Sequence, residues 1–203
     1  LRDFKFSCDV FSIEEGYPIF PKEPILTVVG PILECLLIET MLLLTLNHQI
    51  LISTKASRIC MAAKGKLVLE FGARRAQGYD GAIYGSRAAV IGGCVGTSCT
   101  LSEKLFSIKS YGTMAHSWIQ MFENEYDALI DTYNVLKSGL PNAVKVFKEM
   151  NLSDSKNVGV RIDSGDITYL TKKVRKVLDS EGLHNVKIIV SNSLDEHIIT
   201  DVL

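Results

Sequence analysis

Two segments carry the side chains best suited to chemistry. Gly112-Thr113-Met114-Ala115-His116-Ser117 sets an imidazole just past a short apolar run. Val158-Gly159-Val160-Arg161-Ile162-Asp163-Ser164-Gly165-Asp166 sets a guanidinium and two carboxylates at the end of another. In a parallel α/β architecture the C-terminal ends of all strands open on one face, so groups on two such loops can share a pocket. Imidazole is near neutral at pH 7 and can act as a nucleophile toward phosphorus or as a general base. A guanidinium fork can hold a carboxylate. Two features favour function for His116: its place after a strand, and Thr113 just before it. The plainer alternative is a hydrogen-bonded histidine beside a helix start. His48, His184 and His197 lack such surroundings and read as structural or exposed.

Arg161 stands among apolar strand residues, where a charge is costly to bury without a partner. Asp163 or an anionic ligand would supply one. Asp166 is fully explained as a helix N-cap. Earlier, Glu70-Phe71-Gly72-Ala73-Arg74-Arg75 places two arginines after a buried strand, where they fit phosphate oxygens or are simply solvated. Gly92-Gly93 and Gly96-Thr97-Ser98 suit close backbone approach to a ligand, yet form neither a P-loop nor a dinucleotide fingerprint. The sequence has no acid-rich metal cluster.

The elements that must position these groups follow from hydrophobic period. Residues 25–29 read as a strand, and Pro31 suits a first helical position. A helix is expected from Ile32 to Met61, in one or two pieces, with Gly65 as its stop. It is apolar nearly all round in its first half, as a buried helix should be. Glu39, Asn47, His48 and Gln49 interrupt it and argue against a membrane span. From residue 67 short strands and helices alternate. Strands are expected at 67–71, 94–98, 109–113, 128–132, 158–162 and 187–191, with helices near Asp80 and over 101–106. The last unit is the clearest. Asp166 caps a helix whose stripe is Ile167, Leu170, Val174, Val177 and Leu178, with Lys172, Lys173, Arg175 and Lys176 largely on the wet side, and Gly182 stops it. Six strands fall short of a closed eight-stranded barrel and support a partial barrel or an open parallel sheet. The expected division is 1–65, part of an α+β domain with a long buried helix, and 66–203, the first part of an α/β barrel carrying the site.

Composition narrows the classes. The 203 residues are 47% hydrophobic and 22% charged with a net charge of −1, so nothing electrostatic points to nucleic acid or a membrane surface. Five scattered cysteines without a CxxC pair argue for reduced thiols in the cytoplasm and against disulfides or a zinc site.

Together, EFGARRAQGYDGA, GTSCT, YGTMAHSW, LIDTYN and VGVRIDSGD, preceded by FPKEPILTVVGPILECLLIET and NHQILISTKASRI, resemble the nicotinate phosphoribosyltransferase family over nearly the whole chain. The resemblance implies an N-terminal α+β sandwich-like domain and an incomplete parallel α/β barrel of the type II phosphoribosyltransferase kind. It implies transfer of phosphoribosyl from phosphoribosyl pyrophosphate to nicotinate, giving nicotinate mononucleotide and pyrophosphate. The transfer is driven by ATP through a phosphohistidine, with Mg²⁺ accompanying ATP and phosphoribosyl pyrophosphate. On that pattern His116 carries the phosphoryl group. Thr113 and Arg161 contact nicotinate, Asp163 helps hold ring and ribose, and Arg74 lies near pyridine and phosphates. Thr97, Ser98, Ser164 and Gly165 complete the substrate contacts, and no residue is a metal ligand.

Ser98 favours the acid substrate. As the family pattern goes, nicotinamide-using relatives carry an aspartate here, which would repel nicotinate's carboxylate. Cys99 departs from the asparagine often found at its position. The resemblance also implies a homodimer and a central fragment, since the family's ring-covering tyrosine segment and glycine-rich 5′-phosphate loops fall outside these residues. Two other readings remain: a nicotinamide- or quinolinate-using relative, opposed by Ser98 and by His116, and an inactive homologue or fragment serving dimerisation or regulation.

Overall fold

β1 (Asp9–Ser12), exposed throughout, pairs antiparallel with β2 (Leu26–Val29), which alternates in exposure. The computed structural model that defines them describes residues 4–112, 134–152 and 158–203. Pro31 then takes φ −58° and ψ 131° as the N-cap of α1 (Ile32–Ala62), one uninterrupted helix. Ser7 fastens the strand pair to this helix, its N–H donating to Glu34 at 2.8 Å.

The chain divides into two compact units, Leu1–Tyr111 and Gly112–Leu203. Within the first unit, packing crosses the expected 65/66 division. The C-terminal half of α1 lies directly on α2 (Tyr79–Ile91). Any side chain at Gly92 would meet the Ser53 carbonyl at 2.4 Å, so the close approach that this glycine allows is to the protein's own helix. His48 rests beside Gly81 and Gly85 of α2. The expectation of a buried α1 is corrected. Only Ala56 is buried along it, and Leu33 and Leu44 are 79% and 73% exposed. By length and composition α1 is also apolar enough to cross a membrane.

In the same unit the segments around 68–70, 95–98 and 109–111 run side by side. Glu70 and Ser110 each form a parallel bridge to Thr97. The N–H of Thr97 donates to Lys109 O at 3.1 Å, and that of Tyr111 donates to Thr97 O at 2.8 Å. These are the expected strands at 67–71, 94–98 and 109–113 in shorter form. α2 connects the first pair, and α3 (Thr100–Phe106) the second. Gly96 lets the ladder close, because a Cβ there would lie 2.5 Å from Lys109 O.

The second unit holds a π-helical turn (Val135–Gly139), α4 (Leu140–Glu149), β3 (Gly159–Ile162), α5 (Ile167–Ser180), β4 (Lys187–Val190) and α6 (Glu196–Val202). β3 and β4 are parallel, with Ile162 opposite Val190, as the strand–helix–strand reading requires. The turn, α4 and α6 are additions to the sequence reading. Pro141 sits in the first turn of α4, where its missing N–H removes no helical bond. The expected strand at 128–132 lies outside the described residues.

Val160, Ile162, Val174, Leu178, Leu183 and Val186 are at most 3% exposed and form the core of this unit. Burial of such side chains stabilises by about 1.5–3 kcal/mol each. Two details of the α5 stripe differ from expectation. Thr171 is buried and Val177 is not, because 167, 171, 174 and 178 lie on one helical face. Thr171 satisfies its hydroxyl on Ile167 O at 2.8 Å. Arg175 turns inward at its tip, donating to Val186 O at 2.7 Å and Leu183 O at 2.8 Å, which satisfies the loop beyond the helix.

Candidate functional site

Arg161 and Asp163 project from one side of β3 and its end, as residues two apart must. The guanidinium Nη2 lies 3.1 Å from Asp163 Oδ1, with the two side chains 19% and 17% exposed. Arg161 Nε donates to Ser191 Oγ at 2.9 Å, and Ser191 Oγ donates to Asp163 Oδ1. The parallel register puts Ser191 opposite Asp163, and the Ser191 N–H donates to Ile162 O at 3.0 Å. An arginine, a carboxylate and a hydroxyl are thus locked together at the C-terminal edge of two parallel strands. Asp163 answers the charge of Arg161, and Ser191 fixes the plane of the guanidinium.

Beyond this edge Ser164 and Gly165 are exposed, and Gly165 has φ +76°. Asp166 accepts the Tyr169 N–H at 2.9 Å, the N-cap the sequence called for. Gly165, Thr168, Asn192 and Ser193 contribute to a surface depression here.

A second cluster stands in the first unit. Arg74 is exposed on a 3₁₀ turn (Ala73–Arg75). Glu70 Oε1 accepts from the Gly72 N–H, which opens that turn. Glu70 Oε2 accepts from Thr97 Oγ1 at 2.6 Å and from Ser86 Oγ at 3.1 Å. Thr97 is 0% exposed, and its oxygen accepts the Cys99 N–H at 3.0 Å. Its hydroxyl is thus buried and bonded within the protein. Ser98, half-buried, is held at its backbone by an N–H bond to Glu70 O at 2.9 Å.

The thiols near this turn differ. Burial pushes Cys94 up to about 12, aided by Cys60 and Glu70. Burial also raises Cys99, but bonds from the Ser102 hydroxyl and N–H, the Ser86 hydroxyl and the Leu101 N–H outweigh it and leave that thiol below its ordinary value.

Thr113 and His116 lie outside the described residues. Arg161 with Asp163, and Ser164 with Gly165, occur together in the second unit, while Arg74, Thr97 and Ser98 belong to the first. Sequence reasoning left out Ser191 and Glu70. The signal for each was its place at the polar end of a strand beside another strand end. Among the described residues no three His, Cys, Asp or Glu side chains converge as a metal site.

An ion pair and a hydroxyl thus stand at the strand ends of a mixed α/β chain. The model of the nicotinate phosphoribosyltransferase (NAPRTase) family matches residues 67–203, and the chain belongs to that family. It is 45% identical over 206 residues to nicotinate phosphoribosyltransferase of Bacillus subtilis (strain 168), covering 95% of this chain and 42% of the relative. It is 38% identical to nicotinate phosphoribosyltransferase pncB2 of Mycobacterium tuberculosis, over all of this chain and 46% of that one. Human nicotinic acid phosphoribosyltransferase superposes with a TM-score of 0.81 at 29% identity, over 94% of this chain and 52% of that one. Nicotinate-nucleotide pyrophosphorylase from Pyrococcus furiosus gives 0.85 at 30% identity, over 96% and 54%. The chain spans less than half the length of these two curated relatives.

Proposed function

We propose that this chain carries the nicotinate-recognising part of an ATP-coupled phosphoribosyltransferase. The reaction joins nicotinate to phosphoribosyl pyrophosphate, releasing nicotinate mononucleotide and pyrophosphate in NAD biosynthesis. Family membership over residues 67–203 is the observation that carries this reading. The pinned Arg161 supports it, since a guanidinium already oriented by Asp163 and Ser191 loses little freedom when it meets a substrate carboxylate. Displacing pyrophosphate at the anomeric carbon needs charge neutralisation and an oriented ring nitrogen more than proton transfer.

In this scheme Arg161 pairs with the nicotinate carboxylate, and Asp163 orients Arg161 and helps hold ring and ribose. Arg74 sits by pyridine and phosphates. Ser98, Ser164 and Gly165 provide close polar contacts, while Thr97 acts through the backbone of its turn. Thr113 adds a contact to nicotinate, and His116 accepts the phosphoryl group of ATP. Mg²⁺ enters with the phosphates of ATP and phosphoribosyl pyrophosphate, as this ion usually does. The partial barrel with an α+β sandwich-like domain, a cytoplasmic location and no membrane or nucleic-acid partner belong to the same reading. A homodimer does too, and the exposed apolar flank of α1 supports it.

The test is nicotinate mononucleotide formation by this chain, and by the longest reading frame that contains it, with phosphoribosyl pyrophosphate and Mg²⁺, with and without ATP. Nicotinamide and quinolinate run in parallel. Product from nicotinate alone, stimulated by ATP, is expected, and His116→Ala should abolish the stimulation while leaving a weak ATP-independent rate. Equal use of nicotinamide, or no product from a folded protein, overturns the reading in favour of a different substrate or an inactive module.

A further inference from the structure

Glu70 is a half-buried carboxylate to which the scheme above gives no part, yet it touches both loops that bear the first unit's substrate contacts. Its Oε1 receives the Gly72 N–H, and Gly72 O in turn receives the Arg75 N–H at 2.8 Å, so this oxygen anchors the start of the turn that presents Arg74. Its Oε2 receives the hydroxyls of Thr97, 2.6 Å away, and Ser86, 3.1 Å away. Thr97 passes the constraint on by accepting the Cys99 N–H at 3.0 Å. The residue between, Ser98, is tied to the Glu70 carbonyl at 2.9 Å. Ser86, on α2, shares its single proton between Glu70 Oε2 and Ala82 O, 2.7 Å away, which ties the assembly to that helix.

The Glu70 carboxylate faces the Gly72 N–H and the Thr97 and Ser86 hydroxyls, and its oxygens accept from them. A surface carboxylate whose task was solubility would not be placed so. We infer that Glu70 is a positioning residue, which sets the arginine turn and the Ser98 turn to one common reference and so fixes substrate affinity and the preference for a carboxylate over an amide. The inference rests on the functional reading above. It deepens that reading by assigning the specificity of Ser98 to a carboxylate that does not touch substrate.

The chemistry of the substitutions separates this role from simple stabilisation. Glu70→Ala removes both anchors. Glu70→Gln keeps the shape but swaps one acceptor for a donor, so one anchor survives. Thr97→Val keeps the Gly72 anchor and removes the hydroxyl that bonds Glu70 Oε2 and receives the Cys99 N–H. The experiment is amide hydrogen exchange of the chain together with KM and kcat measured below the melting temperature of each variant. In Glu70→Ala, exchange at 72–76 and at 98–100 should accelerate together. The KM values for nicotinate and for phosphoribosyl pyrophosphate should then rise about tenfold each with a smaller change in kcat, since contacts made equally in ground and transition states are being loosened. Thr97→Val should speed exchange only at 98–100 and lower the nicotinate-to-nicotinamide preference, leaving the phosphoribosyl pyrophosphate KM in place.

Unchanged KM values with only a lowered melting temperature overturn the inference, as does acceleration confined to one segment in Glu70→Ala. If Glu70→Ala does not fold, Glu70→Gln is read instead: faster exchange at one of the two segments with a raised KM is expected, and unchanged exchange and KM values overturn the inference. A wild-type protein that makes no nicotinate mononucleotide overturns the functional reading. The exchange pattern alone then decides whether Glu70 couples the two loops.

Discussion

In α5 the apolar positions 167, 174 and 178 share one face and are at most 8% exposed, closed over by β3, β4 and Leu183. In α1 the apolar side chains go round the helix, and Leu33, Leu36, Met41, Leu43 and Leu44 are all more than half exposed. Both helices carry many aliphatic side chains, leucine and isoleucine in α1 and valine, leucine and isoleucine in α5, so hydrophobicity alone does not make a core. A stripe concentrates apolar area where one neighbour can cover it. An apolar surface all round needs neighbours on every side, and among the described residues α2 covers only the C-terminal half of α1. Exposed apolar surface of this extent calls for cover, and the homodimer proposed above would supply it.

The sharpest way to break this contrast is a matched pair of truncations. Leu178→Ala, at 0% exposure, should lower unfolding free energy by about 2–5 kcal/mol through lost burial and a cavity. Leu44→Ala, at 73% exposure, should stay within about 0.5 kcal/mol while reducing self-association at high protein concentration. Denaturant titration and sedimentation measure the two. Equal losses at both sites would mean that α1 is covered in solution as fully as α5.

A smaller effect tests whether α5 also depends on its own ends. Asp166→Ala removes the acceptor of the Tyr169 N–H and should cost about 1 kcal/mol, with Asp166→Asn recovering most of it. The same denaturant titration reads it, and a null result would leave α5 stabilised by packing alone.

The smallest effect concerns the first unit. Arg87 bonds Glu15 at 2.7 and 2.6 Å. Hydrogen bonding to Arg87, against some cost of burial, holds the Glu15 carboxyl below its ordinary 4.5. A carboxyl lowered on folding stabilises above its unfolded value and loses that contribution as pH falls through the folded one. Wild type should therefore lose an increment on going from pH 5 toward pH 3 that Glu15→Gln lacks. Because the pair is partly exposed, the increment should be below about 1 kcal/mol and shrink in salt. Identical acid profiles for the two proteins would show the pair to be without net effect.

Legibility differed along the chain in the same physical terms. Residues 158–191 read correctly as strand, capped helix and strand because each signal there is local: the apolar run, Asp166, the helical stripe and Gly182. Residues 67–113 were legible as alternating elements but not in their extent, since their ladder is only bridges around Thr97. The long helix was legible, and its exposure was not, because all-round apolarity says a helix needs cover without saying where the cover lies. For the site, Arg161 and Asp163 were found by type and place. Ser191 and Glu70 were not, because a serine or glutamate at a strand end carries no mark of its own.

The sequence by itself determined the family, the parallel strand–helix alternation and the placing of Arg161 and Asp163 at one strand end, all of which depend on residues close in the chain or on motifs long enough to be specific. Only tertiary structure decided that Thr97 turns inward, that Gly92 and Gly96 make room for the protein's own backbone, and that one carboxylate at residue 70 meets Gly72, Ser86 and Thr97 at once. Such meetings depend on the lateral register between distant segments, and that register is set by how their side chains pack, which no local spacing encodes.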